Sequence, residues 1–92
     1  MAMERLTDQE RGLIDRASGD LQERFGFAVD DIRLRRVESV RWPDASLGCP
    51  EPGKMYAAVI TPGYRIVLEA HGREFDYRSD GRQVRLCQER TT

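Results

Sequence analysis

Cys49, Cys87 and His71 are the side chains of this 92-residue chain best suited to chemistry, as nucleophile, redox pair, soft metal ligands or base. The cysteines lie 38 residues apart, Cys49 behind a glycine in a proline-rich stretch and Cys87 near the C-terminal end, with no third cysteine to compete. One bridge is the only intramolecular disulfide available. In the chain-entropy picture, closing a loop of that length contributes roughly 3 to 4 kcal/mol, a large share of a small domain's stability. Two inert buried thiols, or a reactive thiolate at Cys49 stabilised by a nearby arginine, fit the same residues, and all three readings stand at this level. Nucleophilic catalysis needs a positioned base, whereas the lone histidine falls in a predicted turn. Metal ligation by these three residues lacks any CxxC or HxxxH pairing, so no metal and no cofactor is expected.

The other chemical constellations are weaker. Asp44, Glu51 and Asp76 are carboxylates without a recognisable acid–base partner. There is no nucleophile elbow, phosphate-binding glycine loop or dinucleotide fingerprint. An enzyme is not expected. Arg33, Arg35, Arg36 and Arg41, with Trp42 and Tyr56 close in sequence, are the group types used on single-stranded nucleic acid. Glu38, Asp44, Glu69 and Asp76 offset that charge and the whole chain carries a net charge of −1, so no nucleic-acid partner is expected. Fourteen of the fifteen basic residues are arginine, a bias that genomic base composition explains more simply than a preference for forked donors.

What remains is the stretch 43–53, which holds three prolines and two glycines. Trp42 stands at its entry, Asp44 is placed to form an Asx turn, and Leu47 follows before Cys49 and Pro50. Trp42, Asp44, Ser46, Leu47 and Pro50, with Tyr56 just beyond, are the candidate binding residues. A stiff loop with an apolar tip suits protein recognition. The same Trp42 and Leu47 could instead fold inward to cap the open end of a sheet.

The elements that must position this loop can be read from periodicity. Thr7-Asp8-Gln9-Glu10 is a capping-box pattern, and Leu13, Ile14, Ala17, Leu21 and Phe25 recur on one helical face before Gly26 supplies a left-handed stop. A five-turn amphipathic helix is predicted. From Ile32 the period changes toward two, with a phase slip near Arg35-Arg36 that a bulge would absorb, and the strand ends at Pro43. Further strands are predicted over residues 55–61, 64–70, 73–78 and 83–87. Pro62-Gly63 is predicted as the corner of a type II turn and His71-Gly72 as a two-residue hairpin connection. Ile66, Leu68, Phe75, Tyr77, Val84 and Leu86 mark the covered face, and Arg65, Glu69, Glu74, Asp76 and Arg85 a face turned to water. Residues 88–92 read as a polar, frayed tail. The fold class is therefore α+β, one N-terminal amphipathic helix packed on a four- to five-stranded antiparallel meander sheet.

Length fits one domain over residues 1–92, with its core at about 7–87. Hydrophobic residues make up 39% and charged residues 34%, polar for a globular chain but not disordered in character. Acids dominate residues 1–31, at net −4, and bases residues 32–92, at net +3. No run approaches the roughly 18 apolar residues of a membrane span, and the N-terminus is not a signal sequence, so no membrane partner is expected. A cytoplasmic location is the default, a secreted or periplasmic one the expectation if the disulfide forms.

The run Trp42-Pro43-Asp44-x-Ser46-Leu47-Gly48-Cys49-Pro50-x-Pro52-Gly53, with Pro62-Gly63-Tyr64-Arg65-Ile66-Val67-Leu68, Phe75-x-Tyr77 and a final Cys87, resembles a family of small uncharacterised bacterial domains. The resemblance covers about residues 10–88; many members of that family look like secreted or lipoprotein segments, from which this sequence departs in showing no leader. In element order the chain is also similar, more loosely, to PepSY-type domains associated with peptidase regulation and to cystatin-like inhibitors, though it lacks the cystatin Gln-Val-Gly hairpin signature. Taken together, these features lead to the expectation of a non-catalytic protein-binding module presenting the 42–53 loop, with regulation or inhibition of a peptidase as its candidate role. The alternative is a thiol-redox protein in which Cys87 resolves Cys49.

Overall fold

Thr7 starts the first element by pairing groups that a helix end leaves open. Its hydroxyl accepts from the Glu10 N–H at 3.0 Å, and the Glu10 carboxylate accepts from the Thr7 N–H at 2.8 Å. Helix α1 then runs Asp8–Phe25 and ends where Gly26, at φ 73°, returns its N–H to the Gln22 carbonyl. The computed structural model describes residues 5–91. Residues 1–4, and Thr92 at the end of the predicted tail, lie outside the described residues.

A short 3-10 turn, Val29–Asp31, leads to four strands: β1 (Arg33–Trp42), β2 (Thr61–Ala70), β3 (Arg73–Ser79) and β4 (Val84–Thr91). They form one antiparallel meander in the order β1-β2-β3-β4, so the predicted α+β class is the observed one. The predicted phase slip is a bulge at Arg35, where the β1–β2 register shifts between Leu34 and Arg36. His71 and Gly72 adopt φ 52° and 75°, the left-handed pair that a tight β2–β3 hairpin needs.

Leu13, Ala17 and Leu21 of α1 bury against Ile66, Leu68, Ala70, Phe75 and Tyr77. Removing such side chains from water is the main favourable contribution to folding. The helix is also tied down by polar contacts. The Tyr77 hydroxyl donates to the Asp20 carboxylate, and Gln9 and Arg16 donate to the carbonyls of Gly81 and Arg82 in the β3–β4 turn.

Four expectations are corrected. Residues 55–60 form no strand, and Pro62-Gly63 is not a turn but part of β2, where both residues pair with Arg41 and Val40. Pro62 fits there because β3 joins the ladder only from Tyr64 onward, leaving that side without need of its N–H. A Cβ on Gly63 would sit 1.9 Å from the Ser79 carbonyl oxygen, so the close approach of two backbones fixes this glycine. The turn lies instead at Pro52-Gly53, with Gly53 at φ 81° and the Lys54 N–H on the Glu51 carbonyl at 3.2 Å. Residues 88–91 are not a frayed tail, since Gln88, Glu89, Arg90 and Thr91 pair with Asp76, Phe75, Glu74 and Arg73. Finally, the helix-free face is only partly open to water: Asp76 is 7% exposed, covered by arginines and lying beside the part of the face that the 43–53 loop folds over.

Candidate functional site

The cross-strand row Glu38–Arg65–Arg78–Arg85 crosses the helix-free face, placing three arginines on adjacent strands. Like charges directly opposite one another destabilise a sheet unless something compensates. Three compensations are present, the first being Glu38 within the row, 3.7 Å from Arg65. Asp76 accepts from Arg65 Nη2 at 3.1 Å and from Arg78 Nη2 at 3.3 Å. The loop after β1 supplies the rest through its backbone.

That loop is built in two tight turns. The Asp44 carboxylate accepts from the Ser46 N–H at 2.9 Å and from the Ser46 hydroxyl, and these donors hold the Asp44 carboxyl below its ordinary pKa. The Leu47 N–H reaches the Asp44 carbonyl at 3.2 Å and the Cys49 N–H the Ser46 carbonyl at 3.0 Å. Leu47 and Gly48 are both left-handed, at φ 59° and 68°, which turns successive carbonyls toward the sheet. Arg78 Nη1 donates to the carbonyls of Leu47 at 3.0 Å and Gly48 at 2.8 Å; Arg85 Nη2 donates to those of Ser46 at 2.6 Å and Cys49 at 2.8 Å. Two cross-strand arginines therefore take up the carbonyls of residues 46–49.

Trp42 completes the packing. Its indole N–H donates to the Ser79 carbonyl at 3.1 Å, and the Arg78 guanidinium lies 5.0 Å from the ring centroid. Cys49 and Cys87 are bridged, with Cα atoms 6.0 Å apart. Cys87 is the residue skipped by the register shift between Asp76 and Tyr77, so the staple is anchored at a bulge in β4. The bridge is the first of the three cysteine readings. His71 stays apart, paired with Asp31 at 3.2 Å and stacked on Phe27.

Of the predicted binding residues, Trp42, Ser46 and Leu47 are buried, at 6%, 4% and 8% exposure. The choice between a presented and an inward-folded tip is therefore settled inward for both apolar residues. Asp44 is half-buried within its turn, Pro50 is exposed, and the half-buried Tyr56 accepts the Glu51 N–H on its hydroxyl at 3.0 Å. What the sequence reading missed lies immediately downstream. Met55 is 98% exposed, and Val59 and Ile60 are 55% exposed each. Among the described residues, no N–H group of residues 55–60 has a hydrogen-bond partner. The available signal was the ten-residue uncharged stretch 55–64, the longest in the chain.

Residues 14–87 match a family model described as a domain of unknown function, DUF8738. The chain belongs to the DUF8738 family. The DUF8738 match opens inside α1 and closes on Cys87, so the bridge, the carbonyl-bearing loop, both clamping arginines and the uncharged stretch all fall within it. Neither a curated protein nor a solved structure matches the chain.

Proposed function

We propose that this domain is a non-catalytic protein-binding module that takes an extended segment of a partner protein as an added strand along residues 55–60. The reading rests on one observation, six consecutive backbone donors without partners beneath exposed Met55, Val59 and Ile60. In an extended run alternate donors face one edge, and such an edge recruits another strand, with apolar side chains beside it to supply burial and selectivity. Edges that must stay free are ordinarily guarded by charge; β1 carries Arg33, Arg35, Arg36, Glu38 and Arg41, whereas residues 55–60 carry none. The clamped and stapled loop serves as the mount. It fixes residue 49 to the sheet, and the Ala45 N–H holds the Ala57 carbonyl at 3.1 Å. In this reading the surface offered is the run that the loop holds out, rather than the 42–53 loop itself.

The test is a photo-reactive phenylalanine analogue at position 55 or 59 in producing cells, with position 16 on the helix as control. A discrete adduct with another protein from 55 and 59, absent from 16 and lost when Val59→Asp is added to the position 55 probe, is the expected result. An adduct of twice the chain's own mass, or equal labelling from all three positions, would overturn the reading.

A further inference from the structure

Beyond the strand-pairing surface, the helix-free face carries a second feature at the end of the sheet away from the loop. Arg35, Arg36, Arg65 and Arg90 surround a cavity of about 220 Å³ floored by Val67, with Glu74 the one carboxylate on its wall. The bulge at Arg35 brings two successive arginines of β1 to the same rim, where strict alternation would have turned one of them away.

These guanidiniums have donors to spare. Arg35 meets Glu74 only at 3.9 Å and Arg36 meets Glu38 only at 3.9 Å. Arg90 stands opposite Glu74 in register, yet its guanidinium makes no ion pair or hydrogen bond among the described residues. Arg65 is the fixed member, held through Nε and Nη2 by Asp76 and approached by Glu38 at 3.7 Å. Asp76 is in turn shared with Arg78, so the local balance stays positive. Arginine forks match the oxygens of phosphate and carboxylate in pairs. With four of them around one cavity, an ion with two charges and several acceptor oxygens satisfies more donors than a single carboxylate does.

We propose that this cavity is a binding site for a phosphate-type dianion, either free or as a phosphate monoester, with Arg36 and Arg90 closing on it from β1 and β4 and Arg65 as the fixed floor donor. Glu74 opposes the ligand and sets the affinity low. The wall position of Glu74 and the exposure of Arg36 and Arg90 make all three removable without touching the helix-side core.

The experiment is a titration of the intact domain followed by its backbone amide resonances, at constant ionic strength, with inorganic phosphate, glycerol phosphate and chloride as probes. Saturable shifts at Arg36, Val67, Glu74 and Arg90 are expected with phosphate and not with chloride. Loss of a charge-assisted hydrogen bond is expected to weaken binding by about tenfold or more in each of Arg36→Gln and Arg90→Gln, and Glu74→Gln is expected to tighten it. Equal response to glycerol phosphate identifies a monoester as an acceptable source, and response to inorganic phosphate alone identifies the free ion. Shifts that grow linearly without saturating, that chloride reproduces, or that survive in the Arg36→Gln/Arg90→Gln double variant would overturn the proposal. None of these outcomes depends on the surface at residues 55–60.

Discussion

Arg78 and Arg85 face each other across β3 and β4, and between them they hold the carbonyls of residues 46–49. A pair of like charges that would ordinarily weaken a sheet becomes the clamp for a loop, because the left-handed turn at Leu47 and Gly48 presents carbonyls where the guanidiniums need acceptors. The loop's unusual residues are thus explained by what the sheet requires of its backbone.

Gly48 should be the least replaceable residue of that loop. It is left-handed, and a Cβ there would meet Arg78 Nη1 at 2.9 Å. Gly48→Ala is expected to cost about 2 kcal/mol, whereas Gly12→Ala, on the exposed side of α1 with nothing within 4 Å, is expected to stabilise by about 0.5–1 kcal/mol. Urea unfolding of both variants checks the contrast; equal effects would mean the loop does not need its left-handed turn.

At Gly63 the conflict is between backbones. A methyl group 1.9 Å from the Ser79 carbonyl oxygen forces β2 away from the start of the β3–β4 turn and disturbs the acceptor of the Trp42 indole. Gly63→Ala is expected to cost about 3 kcal/mol or more and to shift Trp42 fluorescence to the red in the folded state. An unmoved spectrum would mean that the indole is not seated on Ser79.

Removing the staple separates the structural from the thiol-redox role, two of the three cysteine readings that the sequence left open. Cys49→Ser/Cys87→Ser is expected to lower stability by about 2–4 kcal/mol while leaving a folded domain. In wild-type protein reduced beforehand, the thiols are expected to react with an alkylating reagent no faster than free cysteine. Faster reaction at Cys49 would bring forward the thiol-redox reading, with Cys87 as its resolving partner.

Acid should loosen the loop through Asp44. Its hydrogen bonds from Ser46 lower its folded-state pKa, so the stability it contributes is present above the unfolded value of about 3.9 and is lost as pH falls through the lower folded value. Asp44→Asn is expected to flatten that part of the acid limb in urea midpoints measured between about pH 5 and 2. An unchanged limb would remove Asp44 from the account.

Local signals made half of this molecule legible. The Thr7–Glu10 box, the apolar stripe to Phe25, the Gly26 stop, the slip at Arg35 and the His71-Gly72 hairpin each depend on neighbours in sequence, and each is found where its residues stand. The misreadings all turn on distant contacts. Pro52-Gly53 and Pro62-Gly63 are the same dipeptide, and only the Ser79 backbone lying over Gly63 decides which one is a turn. Residues 55–60 have the composition of a strand, but composition does not say whether a partner strand is there to receive it. The inward set of Trp42 and Leu47 depends on Arg78, thirty residues and more away in the chain.

Amide hydrogen exchange on the isolated domain at low concentration tests most directly whether residues 55–60 are a vacant strand. The N–H groups of Tyr56, Ala57, Ala58, Val59 and Ile60 are expected to exchange at close to unprotected rates, while those of Ser46, Leu47 and Cys49, which have acceptors within the clamped loop, are slowed. Protection across residues 56–60 equal to that of β2 would mean that their donors are already taken, and would contradict the account.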